Sequence, residues 1–141
     1  MNRRLRRTLL LDLNLFLGAT AVAGGVGLLT GLIKIPLSSL TGSLFSDYTV
    51  PAVLLVVAVG GTALLAAWFV HLKLSVGVPA SLVAGGAIIV FEIVEWSVIG
   101  FAWLQAAYMA IGVLIISLGV QVRLTQIAVR AGREGSPHVI H

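Results

Sequence analysis

The chain has 141 residues, 59% of them hydrophobic and only 10% charged, against about a quarter charged in soluble domains; with a mean hydropathy of +1.10, this excludes a soluble globular class. It contains no cysteine, which excludes disulfide exchange, iron–sulfur ligation and thiolate zinc sites, and with them a quinone-coupled disulfide oxidoreductase. The net charge of +4 comes from basic residues that flank apolar segments rather than cover a surface, a pattern that reads as membrane topology and not as a nucleic-acid partner.

A bilayer core of roughly 30 Å is crossed by about 20 apolar residues in helical form. The sequence predicts four such spans, and therefore an all-α transmembrane four-helix bundle in the lipid bilayer. The first covers about 9–33 and follows the basic run "RRLRR" (Arg3 to Arg7). A signal peptide is the competing reading, because "AVAGG" (Ala21 to Gly25) resembles a small-residue cleavage site. The apolar run continues without a polar break through Gly31, Leu32 and Ile33, which favours a retained span. Asp12 and Asn14 lie near its start, with Asp12 in reach of Arg6 or Arg7. Ala19, Ala23, Gly27 and Gly31 recur every four residues and predict a smooth ridge for helix contact.

The loop 34–50 carries Lys34, Asp47 and Tyr48. The second span, 51–71, opens at Pro51 after Asp47 or Thr49 as a cap. It contains Gly60 and Gly61 and ends at His71, which as a haem ligand would lack a second axial partner in the chain. The third span, 76–98, contains "FEIVEW" (Phe91 to Trp96). A short turn at Gly100 leads to the fourth, 104–122, so the last two are antiparallel neighbours. Residues 1–130 read as one membrane domain and 131–141 as a flexible tail, whose His138 and His141 do not amount to a metal site. Small residues on every span predict close packing, with a surplus face for a homodimer or a larger membrane complex.

Arg3, Arg4, Arg6, Arg7, Lys73, Arg123, Arg130 and Arg133 fall on one side of this topology and Lys34 alone on the other. The positive-inside rule then makes both termini cytoplasmic and the loop 34–50 external, in the cytoplasmic membrane of a cell. Tyr48, Trp96, Trp103 and Tyr108 gather toward the outer interface and Trp68 toward the inner one, as amphipathic rings do.

Glu92 and Glu95 are three residues apart, hence on one helix face. Counted from Val78, they lie about 21 Å and about 26 Å into the span. Acids at such depth face protein or water and find partners. The candidates are Lys34, Asp47, Tyr48, Gln105 and Tyr108, which with the two glutamates form one outer polar pocket. A Glu-x-x-Glu pair without histidine falls short of a helical carboxylate metal site, and no phosphate loop, Ser-His-Asp order or H-E-x-x-H motif is present. The chain is therefore expected to be non-enzymatic, without cofactor or metal. Two functions remain: an accessory subunit that binds a ligand or partner through the outer pocket, or a small proton- or cation-coupled transporter using Glu92 and Glu95. Small multidrug exporters have similar size and span count, but their essential acid lies in the first helix.

Four segments carry a family resemblance: "GSLFSDYTVP" (Gly42 to Pro51), "VAVGGTALLAA" (Val57 to Ala67), "VEWSVIG" (Val94 to Gly100) and "WLQAAYMAIG" (Trp103 to Gly112). In order and spacing they resemble a widespread group of small bacterial four-span membrane proteins with no assigned activity. The group has proline where this chain has Leu44 and Ala106, and glycine where it has Ala52. The resemblance implies a recurring role for Glu95, Gln105 and Tyr108, whereas Glu92 is an addition of this chain.

Overall fold

A computed structural model describes residues 1–100 and 102–134; His138 and His141 lie outside them. The described residues form an all-α bundle of four long helices without a strand: α1 (Arg3–Leu29), α2 (Thr49–His71), α3 (Gly77–Ile99) and α4 (Trp103–Glu134). Each is long and apolar enough to cross a membrane, as an integral membrane protein requires. At 1.5 Å per residue α1 is about 40 Å long, α2 and α3 about 35 Å and α4 about 48 Å.

The ends of these helices have local causes. Asn2 caps α1 by accepting from the Arg4 N–H at 3.2 Å, so the helix includes the arginine run that precedes the apolar span. It stops at Leu29 because Gly31, at φ +74°, turns the chain left-handed. The Ile33 N–H then donates back to the Gly27 carbonyl at 3.0 Å. The predicted end at Ile33 is thus four residues late: hydropathy continues past the turn that ends the helix. At α2 the Asp47 carboxylate accepts from the Thr49 N–H at 2.9 Å, so Asp47 rather than Thr49 supplies the cap, and Pro51 sits in the first turn. Gly100, at φ +88°, ends α3. The Gln105 side-chain oxygen accepts from the Ala102 N–H at 2.9 Å at the start of α4.

Helix α4 runs twelve residues beyond the predicted span end at Val122, through Arg123, Arg130 and Arg133, and takes in the first four residues of the segment expected to be a flexible tail. Loss of hydropathy marks the limit of a lipid span, not of a helix, and 123–134 contains no proline or cap to stop it.

In sequence order each helix packs on the next, and α4 closes the ring against α1; α2 and α4 stand across the diagonal. The core is a stack of Leu10, Leu17, Ala63, Ala66, Ile88 and Ile115 with their neighbours. On α1 the buried stripe is Leu10, Asn14, Leu17, Gly18, Ala21 and Gly25. The predicted ridge is therefore turned by one residue, about 100°: Ala19 and Ala23 are exposed, and only Gly27 of that set is buried. A repeat of four fixes the period of a contact face but not which of two adjacent stripes of small residues makes contact. Bulky neighbours decide it, since Leu10 and Leu17 belong to the buried stripe.

The middle of α2, Leu55–Gly61, widens into a π-helical segment, a departure often found beside functional cavities. Gly60 and Gly61 sit within it, and the Thr62 hydroxyl donates to the Ala58 carbonyl at 2.5 Å, reinforcing the loosened turn. At the arginine end Arg7 donates Nε and Nη2 to the Val70 carbonyl at 3.3 and 3.0 Å, satisfying a C-terminal carbonyl of α2. That guanidinium does not turn to Asp12.

Candidate functional site

Glu92 occupies a core position. The stripe Val78, Ser81, Gly85, Ile88 and Glu92 on α3 is buried along its length, and helical periodicity carries it on to Glu95 and Ile99. From Ile88 onward the stripe borders a cavity of about 240 Å³ in the loop-end half of the bundle, and Glu92 and Glu95 are its acidic members. Thr20 and Gly24 of α1, Leu55 of α2, and Gln105 and Tyr108 of α4 complete its wall. All four helices contribute, which is why no single segment of the sequence describes it.

Inside this chamber Glu92 is only 3% exposed, and its Oε2 is buried without a hydrogen-bond partner. Glu92 and Glu95 are close enough to interact electrostatically, as their spacing requires. The Gln105 side chain, itself buried, interacts with the Glu95 carboxyl across the α3–α4 seam. Phe91 and Tyr108 contribute aromatic rings. Among the described residues the wall contains no basic side chain.

The single outer pocket expected from sequence is in fact two spaces. Lys34, Asp47 and Tyr48 line a separate recess of about 320 Å³ between the end of α1 and the loop. Leu28, Ile33 and Ile35 border both and form the partition. The turn at Gly31 carries Lys34 to the α1–α2 side while Glu92 faces α4, so Lys34, one of the candidate partners, does not pair with Glu92 among the described residues. Tyr48 and Asp47 serve the loop itself: the Tyr48 hydroxyl donates to the Pro36 carbonyl at 3.1 Å, and Asp47 caps α2.

Each acid also borders a groove on the bundle's outer surface. Glu95, with Phe91 and Ile99, lies between the chamber and an apolar groove of about 440 Å³ between α2 and α3. Glu92 and Gln105 lie between the chamber and a second groove, of about 560 Å³, along α3 and α4.

Two polar features have roles that the sequence reading did not assign. Asn14 is fully buried and donates to the Leu10 carbonyl at 2.7 Å and to the Ser81 hydroxyl at 3.1 Å, joining α1 to α3 across the bundle. Thr20 reaches the chamber wall from the same helix. For Asn14, its spacing from Leu10, Leu17 and Ala21 was the available signal. Among the described residues no three acidic, histidine or cysteine side chains are grouped to hold a metal ion. No family model, curated protein or solved structure matches the chain.

Proposed function

We propose that this chain is a non-enzymatic multi-pass protein of the cytoplasmic membrane, with both termini inside, whose chamber binds a small ligand on behalf of a larger membrane assembly. The observation that carries this reading is Glu92: a carboxyl 3% exposed, with an oxygen lacking any partner, set on the wall of a cavity with Glu95, Gln105 and Tyr108. A buried carboxyl without a partner is costly in a purely structural role, because a leucine in its place would pack at no such cost. An incoming ligand group can supply the missing partner. Glu95, Gln105 and Tyr108, which share the wall, are the positions to which the resemblance to the four-span group attaches a recurring role, whereas Glu92 is an addition of this chain.

The test is native mass spectrometry of the protein extracted gently from its own membrane. The unaltered chain is expected to carry a small-molecule adduct that Glu92→Gln loses while its fold is retained. An adduct equally present on both proteins, or on neither, counts against the reading.

A second reading is favoured by the position of both acids between the chamber and the outer grooves: a small proton- or cation-coupled transporter. In proteoliposomes it requires an ion-driven flux that Glu92→Gln or Glu95→Gln abolishes. Absence of flux for the unaltered chain across a broad cation panel leaves the binding role alone.

A further inference from the structure

Resting on the reading of the chamber as a ligand site, we propose that its ligand is a lipophilic organic cation that enters sideways from the bilayer, along the α2–α3 groove and past Glu95. Three independent features point there. The first is charge: among the described residues the chamber presents two carboxyl side chains and no basic one, and the loop lysine, Lys34, lies behind the Leu28–Ile33–Ile35 partition. The protein thus leaves the countercharge to the ligand.

The second is the character of the walls. Phe91 and Tyr108 stand in the chamber with the acids, and an aromatic face beside a carboxylate is the combination that holds alkylammonium groups. The remaining surface is mainly apolar, so it suits an amine or quaternary ammonium with a hydrocarbon body. At about 240 Å³ the chamber exceeds the roughly 150 Å³ that accepts benzene. One ring with a short ammonium arm is the appropriate scale.

The third is the route. The α2–α3 groove is lined by Leu54, Ala58, Val83, Ala87 and Val90 and meets the chamber at Phe91, Glu95 and Ile99. Gly86 also lines it, and a methyl group there would meet nothing within 4 Å. Packing therefore does not require that glycine. Its effect is to keep the groove hollow, open toward the space lipid would occupy, and to lead an apolar molecule to an acid. A soluble anion or a neutral sugar would find neither a partner nor a wet path along these walls.

The experiment uses the full chain in lipid nanodiscs and two probes of matching shape. Benzyltrimethylammonium carries a fixed positive charge, and neopentylbenzene is its neutral counterpart. The expected result is saturable binding of the cation at least tenfold tighter than that of the hydrocarbon. Glu92→Gln and Glu95→Gln should each weaken it at least tenfold, and Gly86→Leu should slow association at least fivefold with the helical circular-dichroism signal unchanged. Equal affinity for the two probes, or no binding of the cation by a protein that retains a native adduct sensitive to Glu92→Gln, overturns the cation assignment and leaves the chamber reading intact. Tight cation binding with an unaltered rate in Gly86→Leu overturns the lateral route. Absence of both probe binding and native adduct removes the chamber reading itself.

Discussion

Asn14 and Glu92 are both polar, both buried, and both on stripes that helical periodicity assigns to the core; each has one side-chain oxygen without a partner, but only Asn14 is anchored by hydrogen bonds of its own. The Asn14 amide reaches the Leu10 carbonyl and the Ser81 hydroxyl, so it joins α1 to α3 as interhelical polar groups in membranes commonly do. Removing the hydroxyl with Ser81→Ala leaves the bond to Leu10 in place, and a loss of about 0.6 kcal/mol is expected in reversible unfolding from mixed micelles. Asn14→Ala also opens a void and should cost about 2 kcal/mol. Equal effects of the two would mean that the Leu10 bond and the packing contribute nothing. The burial of Glu92 was legible, because it continues the spacing of Val78, Ser81, Gly85 and Ile88. Its lack of a partner was not: that depends on where Lys34 points, and a single left-handed glycine at 31 decides it.

At the scale of helices, the α3–α4 seam places two adjacent glycines in opposite circumstances. An added methyl at Gly85 would lie 3.0 Å from the Gly112 carbonyl and 2.9 Å from an Ile116 carbon, whereas at Gly86 it meets nothing. Gly85→Ala should therefore destabilise by about 1–3 kcal/mol through overpacking. Gly86→Ala should stabilise by a few tenths to about 1 kcal/mol, because alanine favours the helix and nothing opposes it. Thermal unfolding of the two variants checks the sign, and a shared sign would contradict the assigned faces. Four spans and their order could be read from hydropathy, since each is a long apolar run with its own boundary residues. The contact face of α1 could not be read from small residues alone, because Ala19–Ala23 and Gly18–Ala21–Gly25 form adjacent smooth stripes and only partner shape selects between them. The π-helical turn of α2 left no periodic signal, being seven residues inside a continuous apolar segment. The continuation of α4 was hidden for the opposite reason: its final turns are polar and so drop out of any reading based on lipid.

The whole molecule divides along its length. Toward the arginine end the four helices pack on Leu10, Leu17, Ala66 and Ile115, all fully buried, and the recess of about 200 Å³ found there is lined by the basic side chains of Arg3, Arg7 and Lys73. Toward the loop end the same ring is hollow around Glu92 and Glu95. Helix α4 closes on α1, and the π-segment, with Leu55, stands on the chamber side of α2. A packed core between the helices is what a binding role needs to hold an acid-lined cavity in shape. The division is open to one measurement, made on a chain that has no cysteine of its own. Thr20→Cys and Leu17→Cys lie on the same helix, one on the chamber wall and one in the packed core. In membranes treated with N-ethylmaleimide, Thr20→Cys is expected to be labelled and Leu17→Cys to remain unlabelled, with the Thr20→Cys reaction slowed by bound benzyltrimethylammonium. Two equally inert cysteines would contradict a chamber that small molecules can reach, and with it the binding role.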